Sequence, residues 1–176
     1  MIIEQNEYIE TILQDFKNEL KNDFTIYKNH VYRIFNYACM LDPTKESENK
    51  YAIASAFHDI GIWTHSFDYL HPSIGLASEY LEKNKKEQWI EEISLMIDNH
   101  HKMSEYKGNY SFSVEIFRKA DWIDVTKGRI LFNFDKSRYK KVQHIFSSKG
   151  FHTFLIKQFL YYFLKHPFNP LPMFKK

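Results

Sequence analysis

The chain of 176 residues is long enough for one domain with a sizeable core and too short to require a second. Five glycines, five prolines and an aromatic content of 18% argue against a strand-and-turn architecture, and the lone Cys39 excludes a disulfide scaffold. The net charge of +2 hides a split, because residues 136–176 carry nine Lys/Arg and no Asp/Glu, leaving 15 basic and 22 acidic residues before them, a balance of −7.

The first seven residues have neither the basic start nor the apolar core of a signal peptide, so the expectation is a cytoplasmic protein. Ile2, Ile3, Ile9, Ile12, Leu13, Phe16 and Leu20 then recur at helical spacing and predict an amphipathic helix over 2–20. Asp23 is placed to cap a second helix, whose stripe of Tyr27, Val31, Ile34, Phe35 and Ala38 ends before Asp42-Pro43. His30 and Arg33 lie one turn apart beside that stripe. After a polar stretch, an apolar helix leads into His58-Asp59-Ile60-Gly61, where a left-handed Gly61 would end it and let both polar side chains turn toward one point.

His65, Asp68 and His71 follow, and Pro72 suits the first turn of the next helix. A further helix from about Glu87 buries Ile93, Met96 and Ile97 and delivers His100-His101 at its end. Ser111 or Ser113 can cap the helix that carries Val114, Phe117, Ala120 and Ile123, and Asp121 sits in its most apolar stretch. The remainder, broken near Ser147–Gly150, predicts at least one aromatic helix before Pro167, Pro170 and Pro172 end regular structure. Its apolar run, Phe151–Leu164, is too short to span a bilayer.

Four potential ligands stand in apolar helical segments: His30, His58, Asp59 and Asp121. Imidazole nitrogen with carboxylate oxygen suits a divalent transition metal such as Mn, Fe, Co, Ni or Zn, and thiolate ligands are absent. Their order on successive helices, with His-x-x-Arg at His30–Arg33, the run ending in His-Asp-Ile-Gly, and Arg-Lys-Ala before Asp121, resembles the HD-domain metal-dependent phosphohydrolase superfamily over roughly residues 20–130. The resemblance implies an all-α, HD-domain-like helical bundle around a metal held by those four residues. Residues 1–176 then form a single domain with a basic aromatic extension from about 138.

In two-metal relatives, extra histidines between the His-Asp pair and the final Asp hold a second ion, which here implicates His100, His101 and, more weakly, His71. Lys102–Tyr106 follows the double His where the cyclic-dinucleotide branch has its Gly-Tyr-Pro signature, so that branch is disfavoured. Charge alone nominates Arg33 and Lys119 to meet substrate phosphate beside Asp59 and His58. Asp124, one turn after Asp121, could orient a ligand histidine from behind. Trp63, Tyr69 and Trp122 could stack on a base, although packing in a core is the favoured reading.

The resulting expectation is hydrolysis of a phosphoester or phosphoanhydride in a small nucleotide-like substrate by metal-activated water. The alternatives are a di-iron oxygenase of the same superfamily and a non-catalytic module that binds nucleotides or a partner. The tail is expected to pack against the domain or form a homo-oligomer contact, with Lys140 and Lys141 at the surface, which disfavours nucleic acid as the partner.

Overall fold

The computed structural model describes residues 1–66 and 68–165, with the side chains of Phe159, Tyr162 and Lys165 excepted. The expected ends of regular structure at Pro167, Pro170 and Pro172 lie outside the described residues. Among those described there is no strand. In chain order the helices are α1 (Glu7–Asp15), α2 (Lys17–Leu20), α3 (Phe24–Leu41), α4 (Glu48–Phe57), α5 (Gly61–Thr64), α6 (Leu70–Lys83), α7 (Ile90–Asn99), α8 (Ser111–Val125), α9 (Lys136–Ile145) and α10 (Phe151–Lys165). No helix among these residues is long and apolar enough to cross a membrane.

Two helices form the centre. Every residue from His30 to Ala38 in α3 and from Tyr51 to Ile60 at the end of α4 is buried, the pattern of helices surrounded on all sides. Helices α1, α4, α8, α9 and α10 pack around α3, while α7 joins α4 to α8 and α6 covers α7. The extension after residue 138 shares this core, since Val142, Phe146 and Phe151 belong to the same apolar cluster as Val31 and Ile34.

Several local expectations change for identifiable reasons. The first helix begins only at Glu7, because Asn6 caps it through hydrogen bonds from the Tyr8 and Ile9 amides, and Ile3 is held extended by a two-way pairing with the Asn36 side chain. Asp23 makes no side-chain cap. Its carboxylate accepts instead from the Trp63 indole at 3.0 Å. Neither serine caps α8, where a left-handed Tyr110 takes the N-cap position and the Ser113 hydroxyl donates to Glu92.

Gly61 does not end α4 in a left-handed turn. It opens α5, and the reason for glycine is space: a Cβ there would lie 2.6 Å from the Tyr69 carbonyl oxygen and 2.9 Å from the Tyr69 Cβ. The Gly61 amide donates to the Ser73 hydroxyl, while the Ser73 amide donates to the Tyr69 carbonyl, locking the α5–α6 corner.

The extension packs by its first turns. Phe151 and His152 are buried, and Phe154 stacks on Trp63 at 5.0 Å between ring centroids, yet Ile156, Leu160, Tyr161, Phe163 and Leu164 are exposed. Among its described side chains, this apolar helix is therefore covered at its start and exposed further along.

Gly61→Ala should destabilise the fold by about 1–3 kcal/mol, the usual cost of forcing an extra methyl into a filled contact. Urea unfolding followed by circular dichroism measures it, and an unchanged midpoint would show that the corner can relax.

Candidate metal centre

The His58-Asp59 pair sits where α4 gives way to the turn before α5, and the two adjacent side chains meet, His58 Nε2 lying 3.3 Å from Asp59 Oδ2. His30 comes from the middle of α3, His100 and His101 from the end of α7, and Asp121 from the middle of α8. These six form three overlapping groups, His30 with His58 and Asp121, His58 with Asp59 and His100, and His100 with His101 and Asp121, each with its ligand atoms within 4.8 Å of one another.

The surroundings settle which imidazole nitrogen faces inward. His58 Nδ1 lies 2.8 Å from the Ser55 carbonyl and His100 Nδ1 lies 2.6 Å from the Ile97 carbonyl, acceptors that require an N–H. His30 Nδ1 likewise donates to Asp124 Oδ2 at 2.7 Å. In neutral imidazoles the proton on Nδ1 leaves a lone pair on Nε2, and all three Nε2 atoms surround Asp59 at 3.3–3.5 Å. This is the carboxylate- or carbonyl-backed arrangement of metal-binding histidines. Two of these nitrogens, on His30 and His58, stand 3.1 Å apart, a separation that either a proton shared between the rings or a bound cation accounts for.

Asp59 Oδ1, His100 Nε2 and both oxygens of Asp121 are buried without a hydrogen-bond partner. Burying an uncompensated carboxylate costs several kcal/mol, so these atoms fit a bound cation well. Electrostatics separates the two acids. Burial works to raise the Asp59 carboxyl, but without an ion the charge of His58 and hydrogen bonds from the His100, His30 and His58 rings, which need a proton on Nε2, outweigh it and hold Asp59 well below the usual carboxylate range. Burial pushes Asp121 up to about 8, helped by Asp59 and Asp124 and only partly opposed by His100. Burial and neighbouring His100 hold His101 well below the ordinary imidazole value. Burial and the Asp59 charge raise the Tyr69 phenol well above its own.

Other nominated residues stand elsewhere. His71 is exposed in the first turn of α6 and joins none of the three groups. Arg33 is fully buried, and its guanidinium is committed: Nε and Nη2 donate to the two Asp124 oxygens at 2.6 and 2.8 Å, and Nη1 donates to the Phe146 carbonyl. It supports the acid behind His30 and does not face substrate. Lys119 lies two residues before Asp121, about 200° around α8. Its ammonium is 3.5 Å from Glu115 and borders a separate cleft of about 540 Å³ lined by Tyr106, Phe112 and Phe132.

Trp63 stacks on Phe154 and lies tilted against Tyr27, as core aromatics do. Asp124 does hold a histidine from behind, while its backbone carbonyl accepts from His152 Nε2. Tyr69, nominated only as a stacking aromatic, instead places its hydroxyl 2.6 Å from His101 Nε2.

The family model HD domain matches residues 27–126, which span His30 through Asp124. The chain belongs to the HD domain family. Comparison with curated proteins and with solved structures gave no match. The six imidazoles and carboxylates of this HD domain, all but His101 buried, fit a divalent metal site.

The raised Asp121 has a measurable consequence. Its folded pKa of about 8 exceeds an unfolded value near 4, so the folded chain retains a proton that the unfolded chain has lost, and stability falls as pH rises toward about 8. The depressed His101 acts oppositely, its contribution growing with pH and complete above about 6.5. The metal-free protein should therefore lose about 1–2 kcal/mol between pH 6.5 and 8 in urea unfolding. Asp121→Asn should flatten that slope, and so should a saturating divalent ion. A slope that survives Asp121→Asn would assign the proton to another group.

Proposed function

We propose that this HD domain is a metal-dependent phosphohydrolase that cleaves a phosphoester or phosphoanhydride bond in a small nucleotide-like substrate. The observation that carries the reading is the set of three inward Nε2 atoms around Asp59, each fixed from behind, beside a buried Asp121 whose two oxygens accept no hydrogen bond.

His30, His58, Asp59 and Asp121 would hold an ion, with His100 and His101 extending the set on the α7 side. A bound divalent transition metal there supplies a water of lowered pKa and polarises a phosphoryl oxygen. The chain's own residues contribute fixed geometry. Asp124 and the Ser55 and Ile97 carbonyls keep the imidazoles in one tautomer, and Asp59 remains a carboxylate across the physiological range. Burial excludes bulk water, which strengthens every charge interaction inside.

Access favours a small substrate. Side chains of His30, His58 and His100 are fully buried, whereas that of His101 is 15% exposed, the most accessible of the four. A site this enclosed suits a terminal phosphate better than a polymer backbone. The basic residues after 135 would add a local field that favours anions.

Phosphate release from nucleoside phosphates and simple phosphoesters, measured on metal-stripped protein with added Mn²⁺, Co²⁺, Ni²⁺, Zn²⁺ or Fe²⁺, tests the proposal. Release should require an ion, and Asp59→Ala should reduce it to background while preserving the helical circular dichroism spectrum. Activity retained by Asp59→Ala would overturn the reading. Iron-dependent oxygen uptake without phosphate release would do so as well, favouring oxidation over hydrolysis.

A further inference from the structure

Helix α10 carries two unlike faces. Phe151 and His152 are buried, and Phe154 and Leu155 pack against the apolar core, whereas Ile156, Leu160 and Leu164 are 58%, 51% and 79% exposed. Spaced four residues apart, those three turn only about 40° from one to the next and form a single stripe along the helix. An aliphatic side chain standing singly in water is ordinary, but a contiguous row of them marks a contact surface.

The stripe continues off the helix. A groove of about 530 Å³ lies between α10 and the segment after α8, lined by Leu155 and Ile156 on one side and by Lys127, Arg129 and Ile130 on the other. Ile130 is itself exposed, as are Lys127, Arg129 and the Lys157 that flanks the stripe. None of these three cations forms an ion pair with a described residue. Residues 136–176 add nine Lys/Arg with no Asp/Glu among them. Aliphatic surface and unneutralised positive charge therefore coincide around α10.

We propose that α10 docks the protein on an anionic phospholipid bilayer, lying in the plane of the interface with Ile156, Leu160 and Leu164 at the acyl boundary and Lys127, Arg129 and Lys157 among the headgroup phosphates. The attachment is peripheral, since no helix among the described residues is long and apolar enough to cross a membrane. Charge decides between the candidate occupants. A second copy using the same face would bring two sets of unpaired cations together, at a cost in repulsion. A nucleic acid would satisfy the cations but leave the aliphatic row against phosphate and sugar. An anionic bilayer satisfies both, acyl chains taking the row and headgroups the cations. The opposite face of α10 is fixed by the Phe151 ring on His30 and the Phe154 ring on Trp63, so the stripe is presented outward without rearrangement. The docking is independent of the chemistry in the nest, and its test needs no metal.

Flotation of the full chain with vesicles of phosphatidylcholine alone, or of phosphatidylcholine mixed with phosphatidylglycerol, tests the proposal. Binding should appear with the mixed vesicles, be absent from phosphatidylcholine alone and fall as salt rises. Leu160→Asp and Leu164→Asp should each weaken it by about 10-fold or more, the effect of withdrawing one buried leucine. Lys157→Gln should weaken it by about 5-fold, and this change at an exposed polar position keeps the comparison readable if an aspartate disturbs the helix. Met103→Asp alters a comparably exposed apolar residue between α7 and α8 and should change nothing. Equal binding to both vesicle types, no binding to either, or binding that both leucine variants leave intact would overturn the proposal. So would a dimer, seen by light scattering, that Leu160→Asp dissolves, because a second copy would then be what covers the stripe.

Discussion

The Asp124 carboxylate is the point on which the rest of the scaffold depends. Fully buried in α8, it accepts from His30 and Arg33 of α3 and from Gln143 of α9. Arg33 reaches on to the Phe146 carbonyl at the end of α9. A buried ion pair owes its desolvation cost to every unsatisfied lone pair and proton, so its contribution depends on how completely it is saturated. Here both carboxylate oxygens are used, and burial, which would raise the acid, is overcome by the Arg33 charge and the hydrogen bonds it receives. Removing either partner would strand a charge in the centre of the bundle. The same carboxylate sets the tautomer of His30, so the bond that organises the helices also aims the first candidate ligand.

The nest beside it is organised on the opposite principle. Asp124 is saturated by protein groups, whereas Asp121, three residues earlier on the same helix, has both oxygens buried without a hydrogen-bond partner. One turn of α8 therefore carries two acids driven apart by their surroundings, one held far below and one far above the ordinary carboxylate value. Divergent environments for neighbouring acids mark the division between scaffold and chemistry. Arg33 belongs to the scaffold side. Its place one turn from His30 suggests a phosphate ligand until the partner on α8 is seen.

Much of this was legible in the chain itself, because polar residues inside apolar helical runs are costly and call for a reason. His30, the His58-Asp59 pair, the His100-His101 pair and Asp121 all announce themselves that way, and the structure brings them together. Helical phase could also have disqualified Lys119, which points away from Asp121 by its spacing alone. His71 stands on a helix start, where exposure is ordinary. Other features depend on tertiary distance. Nothing near Gly61 in sequence announces that Tyr69 presses on its backbone, and the left-handed turn that a glycine suggests after an apolar helix is replaced by a steric need. Tyr69 itself looks like any aromatic in a chain rich in them. Its significance comes from a single contact with His101, 32 residues away.

The placement of the chain's two ends around His30 bears on the order in which the protein can be made. Asn29 donates to the Ser147 carbonyl across 118 residues, Arg33 reaches Phe146 across 113, and the Phe151 ring lies flat on His30 with centroids 3.8 Å apart. During synthesis the chain emerges from its N-terminus, so α3 must wait for residues 146–151 before this side of it is covered. Until α10 arrives, that face is an open basin. Contacts of such long sequence separation form late, after local helices and their neighbours have already collapsed. Assembly thus ends by laying an aromatic ring over His30.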